Sequence, residues 1–164
     1  MAEQREIVVV GLGPGRWEDL TIAARDILES APRVVFRTLR HPTVDALRAR
    51  NASLAVESFD ALYEQAESFA QLYPQMADRL YILAAERPDS QPLIYAVPGH
   101  PLIAEESVRY LRLHAPEHGV VVRIVPGLSF IEPVSDALDV DPLSAASWVA
   151  STSCRSRASG SQLS

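Results

Sequence analysis

Five short apolar runs, separated by segments of helical periodicity, constrain the fold of this chain more than any other feature of its sequence. The runs are EIVVVG (6–11), RVVF (33–36), SLAVE (53–57), LIYAV (93–97) and VVVRIV (120–125). Strands that are apolar nearly throughout are typical of parallel sheets that helices cover on both faces. The sequence therefore predicts an α/β fold of three layers, a doubly wound sheet of about five mainly parallel strands flanked by helices.

The segments between these runs predict the covering helices: TIAARDILESA (21–31), PTVDALRAR (42–50), residues 60–87 and PLIAEESVRYLRLHA (101–115). We expect Pro74 to kink or split the longest segment, because proline lacks the N–H of a helical hydrogen bond. Pro101 fits the first position of the fourth helix, where a missing N–H costs nothing.

Charge and residue content exclude several classes of function. The net charge of −6 argues against nucleic acid as the main partner, since phosphate binding relies on a clustered positive face. All fifteen basic residues are arginine, which excludes a Schiff-base lysine and the lysine of a Walker A loop. Cys154 is the single cysteine, so we expect neither an internal disulfide nor a metal site. Without a long apolar run or a signal-peptide pattern, we expect no membrane association and a cytoplasmic location.

One local concentration of positive charge departs from the acidic average. Five arginines and His41 fall between Arg33 and Arg50. They could meet an anionic small molecule, or they could form a solvated face that the acidic stretch from Glu57 to Glu86 balances. The sequence leaves both interpretations open.

Three turns rich in glycine and proline follow predicted strands: GLGPG (11–15), VPGHP (97–101) and VPGLS (125–129). The carboxyl ends of parallel strands share one edge, where ligands bind near a switch in strand order. Three stiff turns converging there predict a pocket for a small polar cofactor, although any one of them could be an ordinary tight turn. A dinucleotide site is disfavoured because Arg16 replaces the third glycine of its motif, and a serine hydrolase because every histidine precedes Ser129.

The combination of VVVGLGPGRWEDLT, YAVPGHPLIAE and VRIVPGLSFIEP resembles the tetrapyrrole (corrin/porphyrin) methylases, the class III methyltransferases that use S-adenosylmethionine. The PGHP and GLSF forms are most similar to the methylase-like half that some bacterial proteins fuse to a MazG-type nucleoside triphosphate pyrophosphohydrolase. The resemblance covers roughly residues 5–143, and it implies the N-terminal half of the family's fold.

The resemblance also implies a strand order of 3-2-4-1-5, with S-adenosylmethionine held in a cleft between this domain and a second one. The acceptor of the methyl group would be a tetrapyrrole or a related small molecule. No catalytic base can be named. By match to the family motifs, the cofactor-binding residues would be Gly13, Pro14, Gly15, Pro98, Gly99, His100, Pro101, Leu102, Ile103, Gly127, Ser129 and Phe130.

Two departures from the family pattern bear on activity. His100 stands where the family usually has the aspartate of a Gly-Asp-Pro motif. Residues 1–143 would form the methylase-like domain, whereas 144–164 are serine-rich and predict a disordered or aberrant tail in place of a second domain. An incomplete methyltransferase, which could form a homodimer, is therefore one interpretation. The alternative is a non-catalytic ligand-binding or regulatory module associated with a MazG-type pyrophosphohydrolase.

Overall fold

The computed structural model describes residues 5–66, 68–88 and 91–144, and within them five parallel strands form one sheet. The strands are β1 (Arg5–Gly11), β2 (Arg33–Phe36), β3 (Ala55–Ser58), β4 (Leu93–Val97) and β5 (Val120–Val125). Their order across the sheet is β3-β2-β4-β1-β5. The predicted parallel α/β sheet is confirmed, and the strand order is the one that the family resemblance implies.

Helices follow the strands as the apolar periodicity predicts. They are α1 (Ile22–Ser30), α2 (Pro42–Arg50), α3 (Asp60–Gln65), α4 (Phe69–Ala85), α5 (Glu106–His114) and α6 (Ile131–Leu138). Short 3₁₀ turns occupy Trp17–Asp19 and Ala115–His118. The chain forms two compact units, one ending at Ser129 and one beginning at Phe130.

The first unit buries both faces of its sheet. In β1, Val8 and Val10 belong to one apolar core, which also contains Leu28 of α1 and Leu47 of α2. The alternate β1 residues, including Val9, belong to a second core with side chains of α4 and α5. Successive side chains of a strand point to opposite faces, so an all-apolar strand is the one that fits between two helical layers.

The long helical segment is divided, but not at Pro74. Helix α3 ends at Gln65 and α4 begins at Phe69, whereas Pro74 lies inside α4. Ala66 and Ser68 both adopt extended backbone, which breaks the helix before the proline is reached. Pro74 falls in the second turn of α4, where the missing N–H costs one helical bond without ending the helix.

The predicted helix start at Pro101 is also wrong, because α5 begins at Glu106. Residues 100–103 form a turn in which the Ile103 N–H donates to the His100 carbonyl at 3.0 Å. Ala104 then adopts a left-handed backbone with φ of 55°. A left-handed residue cannot continue a right-handed helix, so the helix starts only after it.

The second unit contains α6, whose preceding residue Phe130 is 55% exposed. The predicted tail at 144–164 lies outside the described residues apart from Ser144. Among the described ranges, none of the helices has the length and apolar content needed to cross a membrane.

Candidate functional site

The three glycine-rich turns meet at the carboxyl edge of the sheet, and two of their glycines leave no room for a side chain. A Cβ atom on Gly11 would lie 2.6 Å from the Gly99 carbonyl oxygen and 2.7 Å from the Gly127 nitrogen. A Cβ atom on Gly127 would lie 2.5 Å from the same oxygen. Because all these neighbours are backbone atoms, they cannot rotate away. Each turn therefore fixes the position of the other two.

Hydrogen bonds reinforce this junction. The N–H of Gly13 donates to the Gly99 carbonyl at 3.2 Å, and the N–H of Gly99 donates to the Gly13 carbonyl at 2.9 Å. The Thr21 hydroxyl, at the start of α1, donates to the Pro126 carbonyl at 3.1 Å. The loops after β1, β4 and β5 are thus joined directly, which gives a site on this edge a rigid floor.

Gly99 differs from Gly11 and Gly127 because a side chain there would not be crowded. Its φ of 65° lies in the left-handed region, and the nearest atoms to a Cβ there would be 3.9 Å away, on Leu128 and Ser129. Glycine is therefore favoured by the backbone angle and not by crowding. The main chain at Gly99 is therefore not tightly packed on this side, and another molecule could approach it there.

Side chains of α2 support the first turn from the other side. His41 is buried, and its Nε2 lies 3.2 Å from the Gly13 carbonyl oxygen. The Thr43 hydroxyl contacts the carbonyls of Leu12 and Gly15 at 3.3 Å and 3.0 Å. A carbonyl accepts and cannot donate, so Nε2 of His41 carries the hydrogen. Burial lowers the pKa of His41, although its bond to Gly13 acts in the opposite direction.

The His100 ring has a defined local partner. Its Nδ1 accepts a hydrogen bond from the Leu102 N–H at 3.0 Å. An aspartate carboxylate in the same position could accept from the N–H two residues ahead, which is the usual Asx turn. The imidazole therefore makes the backbone contact that an aspartate could make in this position, but without a negative charge.

A buried polar chain anchors the far end of the fourth-strand turn. The Glu105 carboxylate, 2% exposed, binds Arg37 at 2.9 Å and accepts from the Ser107 hydroxyl at 2.6 Å. Ser107 also contacts the Tyr95 hydroxyl at 2.9 Å, and Arg37 donates to Tyr63 at 2.7 Å. Burial raises the pKa of Glu105, while Arg37 and Ser107 act to lower it. These hydrogen-bonded side chains connect the end of β2 with α3, β4 and α5.

The arginine-rich segment is largely neutralised within the protein. Arg33 pairs with Glu57, Arg37 with Glu105, and Arg40 with Glu64 at 3.1 Å. Arg50 lies over the Trp17 ring at 4.3 Å. Around Arg37 and Arg40 a cavity of about 290 Å³ also contains Asp60 and Glu64 in its wall. Glu57 and Glu64 belong to the acidic stretch, so the pairings of Arg33 and Arg40 favour the interpretation that this stretch balances the arginines, whereas Arg37 is paired with Glu105 outside it.

Most of the predicted site residues share this edge. Gly13, Pro101, Gly127 and Ser129 are buried there; Gly15, Pro98, Gly99, His100 and Ile103 are half-buried; Pro14 and Leu102 are exposed. Phe130 belongs to the second unit.

Sequence reasoning missed the steric role of Gly11 and the contacts of His41 and Thr43. The sequence signal for Gly11 is its position as the first glycine of the GLGPG turn, directly after a predicted strand. Within the described ranges, no group of three or more metal-binding side chains is found.

The close approach at the junction predicts that substitutions at different glycines will differ strongly in their effect on stability. We expect Gly11→Ala to lower the free energy of unfolding by about 3 kcal/mol or more, because its methyl group would overlap backbone atoms. Gly119→Ala is the control. The φ of Gly119 is 63° and nothing lies within 4 Å of a Cβ atom added there, so only the backbone strain of about 1 kcal/mol applies. Urea denaturation measures both. Equal losses in the two variants would contradict the close approach.

His41 predicts a pH dependence of stability. Its folded-state pKa is lowered, so below its ordinary value of 6.5 the unfolded chain takes up the proton first. Stability attributable to His41 should therefore fall as pH drops below about 6.5, by at most about 1.4 kcal/mol per pH unit. His41→Gln keeps an N–H donor for Gly13 but does not titrate, and its stability should vary less between pH 7.5 and 5. Identical profiles would refute this account of His41.

Solved methyltransferase structures share the fold of this chain. A uroporphyrin-III-C-methyltransferase from Thermus thermophilus aligns with a TM-score of 0.60 at 24% identity, over 84% of this chain and 54% of that one. The Thermus thermophilus enzyme complexed with S-adenosylhomocysteine aligns with a TM-score of 0.51 at 23% identity, over 76% of this chain and 45% of that one. Cobalt precorrin-4 methyltransferase, a cobalamin biosynthetic enzyme, aligns with a TM-score of 0.57 at 19% identity, over 83% of this chain and 51% of that one. The chain thus corresponds to about half of each structure.

Sequence comparison gives the family. The chain is 36% identical over 138 residues to YabN, an uncharacterized protein of Bacillus subtilis strain 168; the match covers 84% of this chain and 27% of YabN. The profile of the tetrapyrrole (corrin/porphyrin) methylases matches residues 6–156. With the parallel sheet and its strand order already established, this match over most of the chain shows that the protein belongs to the tetrapyrrole (corrin/porphyrin) methylase family.

Proposed function

We propose that the carboxyl-edge turns bind S-adenosylmethionine and that the complete protein transfers its methyl group to a tetrapyrrole or a related small molecule. The observation that carries this proposal is the meeting of the three turns, which fix one another through Gly11 and Gly127 and leave one side of Gly99 uncrowded. Membership of the methylase family supports it. So does the S-adenosylhomocysteine named for a structure of the same fold.

The residues at this edge fit a nucleoside cofactor. A Cβ atom at Gly99 would make only ordinary contacts, at 3.9 Å, so the glycine allows a ligand to rest against the main chain. Leu102 is 50% exposed and offers an apolar surface, while the half-buried His100 offers a polar ring nitrogen. Convergent polar groups on a mostly apolar wall are typical of small-molecule sites.

The chain's contribution to the reaction would be binding and orientation. When bound, S-adenosylmethionine would supply a methyl group made electrophilic by the positively charged sulfur that carries it. The joined turns hold the main chain still, and positioning of this kind can contribute a large part of a transfer rate. We assign no side chain of this unit as a base. His41 and Glu105, which contact the turns, are buried and internally bonded, and His100 binds the main chain of its own turn through Nδ1.

We propose that a following domain completes the site in the full protein. The chain spans about half the length of the solved structures and 27% of YabN. Leu102 and Leu128 remain 50% and 39% exposed at the edge where the turns meet. Exposed apolar side chains beside a binding surface are typical of places that another domain or a second copy covers. We keep a cytoplasmic location as part of this proposal.

A second candidate function is a non-catalytic module that binds the cofactor or its product and regulates an associated MazG-type pyrophosphohydrolase. The specific observation in its favour is His100, which keeps the turn but lacks the negative charge of the family's aspartate. In this case the edge would still bind a nucleoside, but no methyl group would be transferred.

Gly99 provides the direct test of the site. We expect Gly99→Val to reduce S-adenosylmethionine affinity at least about tenfold, because its side chain would keep the ligand away from the main chain of the turn. Gly119→Val is the matched control: it has nearly the same φ, 63° against 65°, but lies before β5 at the opposite edge of the sheet. Calorimetric titration measures both, with circular dichroism to verify folding. Unchanged affinity in a folded Gly99→Val variant would place the cofactor elsewhere.

Methyl transfer distinguishes the two candidate functions. We expect the full-length protein to transfer a radiolabelled methyl group from S-adenosylmethionine to a uroporphyrinogen-type acceptor, and the Gly99→Val variant to transfer it much more slowly. Cofactor binding without transfer, combined with a cofactor-dependent change in nucleoside triphosphate hydrolysis by an associated domain, would instead support the regulatory module.

A further inference from the structure

A second cavity, of about 310 Å³, lies at the amino edge of the sheet, where the strands begin. Ala31 and Pro32 line it between the end of α1 and the start of β2, and Pro92 lines it directly before β4. The glycine-rich turns lie at the opposite edge and contribute nothing to its wall. A cavity of this size is at the lower end of the range of small-molecule sites, about 300–1,000 Å³.

The wall of this cavity is mainly apolar and is formed on the face of the sheet that α1 covers. Ile94 of β4 is 7% exposed and belongs to the same apolar core as Val8, and Ile27 of α1 packs against that core. Val8 is in register with Ile94 on one side and with Arg123 of β5 on the other. Side chains at the same register share a face of the sheet. Arg123 therefore brings a positive charge to an otherwise apolar face.

A second arginine in the wall, Arg87, has no counter-ion among the described residues. Arg123 donates to Glu6 at 2.8 Å, whereas Arg87 donates only to the neutral Gln91, at 3.3 Å. The Nε atom of Arg87 is buried without a hydrogen-bond partner. Burial lowers the pKa of Arg87, and the charge of Arg33 acts in the same direction. Buried N–H groups without an acceptor are rare in folded proteins, so this guanidinium is an exception.

The acceptors nearest to this part of the fold are occupied by other donors. The Glu57 carboxylate is shared between Arg33 and Arg79. Carbonyl groups at the end of a helix attract cations, but those at the end of α1 accept from the Ser30 hydroxyl and the Asn51 amide. The fold thus places an arginine in a cavity wall and leaves its charge uncompensated.

We propose that this cavity is a second binding site, for a small carboxylate with an apolar body. The carboxylate would pair with Arg87, since a guanidinium can donate two parallel hydrogen bonds to such a group. The apolar body would lie against Ile27 and Ile94. Arg123 adds a smaller attraction because Glu6 already holds it. The inference is independent of the proposed function of the turns, with which this site shares no residue.

Phenylpropionate is the probe for this site, because it joins one carboxylate to one apolar ring. We expect it to shift the amide signals of Ala31, Gln91 and Ile94 in the nitrogen-15-labelled chain, with a dissociation constant in the millimolar range or lower. The signal of Gly99, at the other edge, should not move. Neutral phenylpropionamide and inorganic phosphate are the controls for charge and apolar body, and each should bind at least about fivefold more weakly.

Substitution of Arg87 separates a ligand-binding role from a structural one. We expect Arg87→Gln to weaken phenylpropionate binding about tenfold, because a charge-assisted hydrogen-bonded pair is lost. Arg48→Gln is the matched control, since Arg48 is exposed on α2 and lies outside the cavity wall; its affinity should equal that of the natural chain. Without ligand, Arg87→Gln should unfold at the same urea concentration as the natural chain or a higher one, because Arg87 has no counter-ion in the described fold.

Four results would overturn the proposal. The first is that phenylpropionate leaves the amide signals of Ala31, Gln91 and Ile94 unchanged. The second is equal affinity in Arg87→Gln and the natural chain. The third is that phenylpropionamide or phosphate binds as tightly as phenylpropionate, which would remove the charge or the apolar body from recognition. The fourth is a lower urea midpoint in Arg87→Gln than in Arg48→Gln, which would assign the arginine to the stability of the fold.

Discussion

The approach of three backbone segments at Gly11, Gly99 and Gly127 is the constraint on which the rest of the site depends. The Gly99 carbonyl oxygen lies where a side chain on either of the other two glycines would have to be. A contact of this kind cannot be adjusted by changing a rotamer, because every atom in it belongs to the main chain. It sets the separation of β1, β4 and β5 at their carboxyl ends, and with it the shape of the surface that the turns present.

The remaining features of the edge support this junction from both faces of the sheet. His41 and Thr43 hold the carbonyls of the first turn from the α2 side. Glu105 holds the end of the fourth-strand turn through Arg37 and Ser107 on the other. The polar groups closest to the glycines are thus occupied by the fold itself. The uncrowded side of Gly99 stays accessible to a ligand, and so the chain's proposed role is to bind and position.

Much of the fold could be predicted from the sequence because it depends on local patterns. The all-apolar strands require two covering layers, and the strand order came from the family motifs. Contacts between distant residues were harder. The pairing of Arg33 with Glu57 depends on which strands are neighbours, and the start of α5 depends on a left-handed Ala104 that no propensity indicates. The sequence predicts that the turns form a group. It does not show that a side chain would be crowded at Gly11 but not at Gly99, because both are simply glycines in a turn.

The most direct test of the account is a map of which backbone amides respond to S-adenosylmethionine in solution. Amide chemical shifts of the nitrogen-15-labelled chain, recorded as ligand is added, report on every turn at once. The account predicts the largest shifts at Gly13, Gly99 and Leu102, with little change at Gly119 on the opposite edge of the sheet. Shifts concentrated at Gly119 and the amino ends of the strands, or no shifts at saturating ligand, would contradict the central claim that the joined turns form the binding surface.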